Sequence, residues 1–218
     1  MGITGGARMT WATKTLQEFQ DALASSDPTP GGGSAAAVAL GQAAALAVMV
    51  SELTLAKESL SDGWVISEKV KSVAEPFLKT GLELATSDSE AFDAVVASFR
   101  LPRESDEDKE RRRDAIRAAT LGAADVPYKT AMSAMQLLKL LPELAEKGNP
   151  NAASDVGVSA LLASAALKGA IFNVEINLQS LPSEMGLDMR ENLPALIEEG
   201  RVYSRMSMDA VRARLSNA

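Results

Sequence analysis

PTPGGGSAAAVALGQAAALAVMV, residues 28–50, decides the fold. From Ala35 to Val50 run sixteen small apolar residues whose polarity is broken only by Gln42. A helix that is apolar all round is either enclosed by other helices or inserted in a membrane. Ala and Gly dominate this run, and Gln42, Ser51 and Glu52 interrupt or bound it, so the segment from Ser34 to about Ala56 reads as a buried helix and not as a span. Residues 151–178 repeat the pattern, small and apolar with few polar interruptions, and read as a second central helix.

The flanking segments supply amphipathic partners. Leu16, Phe19 and Leu23 recur at helical spacing over residues 13–25. Val65, Val70, Val73, Phe77, Leu82 and Leu84 carry a stripe to Thr86, with Pro76 expected to kink it, and residues 88–99 continue with Phe92, Val95 and Phe99. Ser105 and Asp108 form a capping-box pattern at the start of a helix reaching about residue 148, with Pro127 and Pro142 marking kinks or breaks. A last amphipathic helix covers about 190–215. No period-two strand pattern appears. The expected fold is therefore an all-α, up-and-down bundle of about six helices, some kinked, around two small-residue central helices. Residues 1–8 read as a leader ahead of Met9, and residues 9–218 as a single domain.

Composition narrows the chemistry. Hydrophobic residues make up 46% of the 218 and aromatics only 4%, so the core must be built from Ala, Leu and Val. The net charge of -7, without basic runs interleaved with aromatics, argues against nucleic acid as a partner. With no Cys there are no thiolate nucleophiles or sulfur-ligated metals, and with no His the usual near-neutral acid/base is missing. Proton transfer must then fall to carboxylates, Lys, Tyr or backbone groups. A zinc or iron site would need carboxylates alone, so no metal is expected. Without a signal-peptide layout or a membrane span, the expected location is the cytoplasm.

Several positions carry possible chemistry, each with a plain structural alternative. Gly31, Gly32 and Gly33 precede a helix, where free N–H groups and close backbone approach suit an anion or a ligand, or where they simply turn the chain. Lys57 lies past the end of the apolar helix, a common place for dipole complementation. Asp88, in TSDSEAF, has the look of a helix N-cap, and Asp93 is five residues on, about 140° around a helix, so the two are not a facing pair. Asn173 and Asn177 lie one turn apart on one face. Asp155 and Asn173 are 18 residues apart, roughly 27 Å along an unbroken helix. They cannot meet at one small centre in a single chain.

Taken together and in order, SDPTPGGGSAAA, LTLAK, DSEAFDAVVASFRLPR with DEDKERRRDAI, DVP, EKGNPNAASDVGV and NVEIN resemble the cyclodeaminase/cyclohydrolase family of folate enzymes, over about residues 16–180. The resemblance implies an all-helical homodimer acting on a tetrahydrofolate derivative near its interface, with no cofactor beyond that substrate, no metal, no nucleic acid and no membrane. Folate is elongated, and an interface can complete its site, which answers the distance between Asp155 and Asn173. The implied catalytic residues are Asp88 as general base or cation stabiliser, Lys57 as donor, and Asp155 as a pterin-binding carboxylate or alternative base. Gly31, Gly32, Gly33, Ser34, Asn149, Asn173 and Asn177 are the implied substrate contacts. The expected reaction is hydrolysis of 5,10-methenyltetrahydrofolate to 10-formyltetrahydrofolate in one-carbon metabolism. Two alternatives stay open: a formimidoyltetrahydrofolate cyclodeaminase that releases ammonia, and a non-catalytic helical dimerisation module.

Overall fold

The computed structural model describes residues 10–216, so the expected leader at residues 1–8 and the boundary at Met9 lie outside it. Every regular element among the described residues is helical. A 3₁₀ turn, Trp11–Thr13, leads into α1 (Leu16–Leu23), α2 (Gly32–Leu55), α3 (Trp64–Phe99), α4 (Asp106–Leu138), the short α5 (Leu141–Lys147), α6 (Ala153–Gln179) and α7 (Leu187–Ser216). The six expected segments are all present. The fourth breaks in two beside Pro142, which takes up the first turn of α5, where a missing N–H costs nothing.

Local signals set several boundaries. Thr15 with Glu18, and Ser105 with Asp108, form complete capping boxes at the starts of α1 and α4. Pro76, Pro127 and Pro194 lie inside α3, α4 and α7, which run through them. The expectation for Asp88 needs correcting. It is not an N-cap, because α3 continues unbroken from Trp64 to Phe99 and carries Asp88 in its interior.

The helices alternate in direction. On α2 and α3, Ser34 meets Ala85, Gly41 meets Gly81, and Glu52 pairs with Lys71, which is an antiparallel register. On α2 and α6, Gly32 faces Asn173 and Ser159 Oγ donates to the Ala43 carbonyl at 2.8 Å, again antiparallel. Small residues make this closeness possible. A Cβ on Gly81 would lie 2.9 Å from the Ala37 carbonyl oxygen and 3.0 Å from Gly41 N, so α2 and α3 touch backbone to backbone.

α2 and α6 are long and apolar enough to cross a membrane, but at least half of the most apolar window of each is buried inside the bundle. Ala37, Leu40, Ala43, Ala44, Ala47 and Val50 are wholly buried along α2, as expected of a central helix. Burying a side chain such as Leu40 contributes about 1.5–3 kcal/mol, and Ala-lined grooves let many such contacts form. α6 differs on its outer face, where Val158, Leu161, Phe172 and Ile176 form an exposed apolar stripe.

Candidate active site

The N-terminal end of α2 opens on a cleft of about 240 Å³. Its walls come from the glycine turn, from Asp88 and Phe92 on α3, from Ala123 on α4, and from Asn173, Ile176 and Asn177 on α6. Gly31 caps α2 without a side-chain bond, so the first amides of the helix have no intrahelical acceptor. One of them, Ser34 N–H, points at the Asp88 carboxylate, and Ser34 Oγ lies 2.9 Å from Asp88 Oδ2.

Gly33 is where the sequence leaves no choice. A Cβ there would collide with the Asp88 carboxylate, its Cγ included at 2.7 Å, so the carboxylate rests on bare backbone. Burial pushes the Asp88 carboxyl above its ordinary value, and the bonds from the Ser34 side chain and backbone pull it back. No charged neighbour contributes to the shift. A half-buried carboxylate without a cation beside it is suited to stabilise a positive ligand or to accept a proton.

Asn173 Nδ2 donates to the Gly169 carbonyl at 2.8 Å, and Asn177 Nδ2 donates to the Ala123 and Asn173 carbonyls, each at 2.9 Å. Because a carbonyl can only accept, these bonds fix the amide orientations. Both residues line the cleft, and these bonds leave each amide its Oδ1 as an acceptor. Asn177 also ties α6 to α4, so it serves both packing and site.

A family model described as formiminotransferase-cyclodeaminase matches residues 15–191. The chain belongs to this family. It is 35% identical over 204 residues to the methenyltetrahydrofolate cyclohydrolase of Methylorubrum extorquens, covering 93% of this chain and 98% of that one. It is 29% identical over 204 residues to the formimidoyltransferase-cyclodeaminase of Rattus norvegicus, covering 92% of this chain but spanning only 37% of that longer protein. Among solved structures, the formiminotetrahydrofolate cyclodeaminase of Thermotoga maritima superposes with a TM-score of 0.77 at 30% identity, over 94% of this chain and 98% of that one.

In this formiminotransferase-cyclodeaminase family member, the residues expected to act together fall into two groups. Gly31, Gly32, Gly33, Asp88, Asn173 and Asn177 line the one cleft. Ser34, also an implied substrate contact, is fully buried and its hydroxyl bonds to Asp88. Lys57, Asn149 and Asp155 lie toward the opposite end of the α2–α6 pair, with Lys57 just past the end of α2, about 33 Å of helix away from Gly33. Within one chain the structure does not bring Lys57 or Asp155 to Asp88. Asn149, an implied substrate contact, is held in the fold at this far end. It is 5% exposed, its Nδ2 donates to the Leu53 carbonyl at 3.2 Å, and its Oδ1 accepts from Asn151 N at 3.1 Å.

Sequence reading missed Thr29, Phe92 and Ile176 as lining residues, and Ser89 as a neighbour of Ser34 at 3.1 Å. Phe92 and Ile176 were legible only as apolar positions. Their place beside a carboxylate comes from α3 and α6 each packing against α2 and α4, which leaves the cleft between them.

Proposed function

We propose that this chain hydrolyses 5,10-methenyltetrahydrofolate to 10-formyltetrahydrofolate. The observation that carries the reading is Asp88: a carboxylate set at the N-terminus of α2, resting on Gly33 and held by Ser34, with no cation beside it. The substrate's methenyl carbon is cationic, shared between two folate nitrogens. Asp88 stabilises that cation and takes a proton from the water that attacks it. The hydrated carbon then releases one ring nitrogen, leaving the formyl group on the other. One water enters, one C–N bond breaks and one proton leaves. The Oδ1 atoms of Asn173 and Asn177 accept from N–H groups of the folate ring. The reaction draws on no cofactor beyond the folate itself.

The cleft holds about 240 Å³, less than the roughly 300–1,000 Å³ typical of drug-sized ligands, so it takes one end of an elongated folate. A second copy of the chain covers the rest. The exposed stripe on α6, with Phe172 at 67% and Ile176 at 63%, abuts the cleft and supports an interface there. Such a homodimer can deliver Lys57 and Asp155 of one subunit toward Asp88 of the other, with the enzyme acting in the cytoplasm.

The likeness to the Thermotoga maritima cyclodeaminase favours a second reading, in which the same carboxylate helps to form the methenyl cation from formimidoyltetrahydrofolate with loss of ammonia. Following near-UV absorbance of methenyltetrahydrofolate, corrected for spontaneous hydrolysis, beside an ammonia assay on formimidoyltetrahydrofolate, separates the two. Fast hydrolysis without ammonia, lost in Asp88→Asn, supports the cyclohydrolase. Ammonia release with background hydrolysis makes it a cyclodeaminase, and silence in both leaves a helical dimerisation module.

A further inference from the structure

Behind Asp88, on the side away from the cleft, runs a buried line of polar contacts. Trp11 Nε1 donates to Ser89 Oγ at 3.0 Å, Ser89 Oγ lies 3.1 Å from Ser34 Oγ, and Ser34 Oγ lies 2.9 Å from Asp88 Oδ2. Each serine has one proton to give, and the Ala85 carbonyl competes for both, at 3.0 Å from Ser34 and 3.4 Å from Ser89. The indole N–H can only donate. One arrangement fills every link of the line: Trp11 to Ser89, Ser89 to Ser34, Ser34 to Asp88. Each donor in such a chain strengthens the next.

Trp11 is held for this task from two sides. Its backbone N–H donates to Thr86 Oγ1 at 3.0 Å, and its ring meets Phe19 edge to face, with centroids 5.4 Å apart. Only 7% of it is exposed. In a chain with two tryptophans, one closes the rear of the candidate site through its N–H.

We propose that Trp11 and Ser89 are positioning residues for Asp88, forming with Ser34 a one-way donor chain that keeps the carboxylate ionised and fixed at the mouth of α2. The inference rests on the reading of Asp88 as the acting carboxylate. A proton on Asp88 would leave Oδ2 only a neutral, weaker acceptor for the Ser34 hydroxyl, so the charge-assisted bond at the end of the chain favours the ionised carboxylate. The chain thus opposes the effect of burial, which favours the neutral carboxyl. The residues of other elements that share its cleft, from the glycine turn, α4 and α6, carry no charge, and neither does Ser34 behind it. Asp93 of its own helix lies by Thr29 Oγ1, 3.4 Å away. Hydrogen bonds are therefore the chief means of favouring the ionised form.

Trp11→Phe removes the N–H and keeps a ring against Phe19. Carboxyl 13C NMR of Asp88 in the ligand-free protein should show its titration moving to higher pH in Trp11→Phe and in Ser89→Ala, with Ser89→Thr close to the unmodified protein. The acid limb of kcat for methenyltetrahydrofolate hydrolysis should move by the same amount, with KM unchanged and kcat recovered above the limb. A merely structural role would lower kcat at all pH values. An unmoved Asp88 titration in a folded Trp11→Phe or Ser89→Ala protein overturns the proposal. A moved titration with an unmoved acid limb upholds the chain and overturns Asp88 as the base in the reaction.

Discussion

The two ends of the α2–α6 pair use polar residues in opposite ways. At the glycine end, Asp88, Asn173 and Asn177 line a cleft, and the bonds their side chains make to helix backbone and Ser34 leave acceptor capacity over. At the other end, Asn149 spends its side chain on Leu53 and Asn151, and its backbone N–H takes a bond to Thr54 Oγ1 at 2.9 Å, which pins the α5–α6 connection to α2. Residue type does not separate the ends, since each holds asparagines, glycines and a carboxylate. Satisfaction separates them. An acceptor left open beside a cleft can bind, whereas one already bonded holds the fold.

The comparison is most exposed at Asp88. Asp88→Asn should lower kcat for methenyltetrahydrofolate by about 10²–10⁴-fold, the usual contribution of a positioned acid/base group, in a single-turnover assay. The same variant should be the more stable protein. With the folded carboxyl raised by burial, the native state holds more protons than the unfolded chain between the ordinary and the raised values, so stability falls as pH rises through that window. Asparagine cannot ionise, so Asp88→Asn should melt higher than the unmodified protein at neutral pH, and the difference should vanish in acid below the ordinary carboxylate range. A lower melting temperature at neutral pH would show that the carboxylate is a structural anchor.

Lys57 tests whether the far end joins the site through a partner. Lys57→Met should reduce kcat by about 10²-fold, as expected for loss of a charge-stabilising donor. Equal amounts of inactive Asp88→Asn and Lys57→Met chains, unfolded and refolded together, should regain about a quarter of full activity, because half the random dimers then hold one intact site. No recovery would confine the site to one chain. It would also leave Lys57 as the end of α2 and no more.

Glycine substitutions give a smaller and sharper contrast. At Gly33 an added methyl meets the Asp88 carboxylate, while at Gly148 it meets the Leu144 carbonyl oxygen. Both should cost about 1–3 kcal/mol as overpacked sites, read as a lower melting temperature. Gly33→Ala should also lose activity at least about tenfold, as expected when a catalytic group is displaced by an ångström or so, while Gly148→Ala should keep it. Asn149→Ala, which orphans the Leu53 carbonyl and Asn151 N–H, should destabilise by about 1–3 kcal/mol in urea unfolding with KM unchanged. A raised KM there would return Asn149 to the substrate.

Much of this was legible in the chain. The apolar run from Ala35 to Val50 dictated a central helix because no polar stripe was available to face water, and the capping boxes at Thr15 and Ser105 mark real starts. TSDSEAF misleads because Thr86, Ser87, Asp88 and Ser89 have the composition of a helix boundary. In the fold, Thr86 and Ser89 meet Trp11, and Asp88 meets Ser34, so tertiary bonds hold α3 together through its least helical stretch.

Composition alone excluded thiol and imidazole chemistry, and periodicity alone established an all-helical bundle with small-residue helices at its centre, because both follow from which side chains exist and how often they recur. Which polar atoms stay open was decided only by the tertiary structure. Asn149 and Asn173 are the same residue on neighbouring elements, and Ser34 and Ser89 are ordinary serines until α2, α3 and the turn at Trp11 pack together. An acceptor's availability depends on what lies within about 3 Å of it. Sequence spacing along one helix cannot report neighbours that come from another.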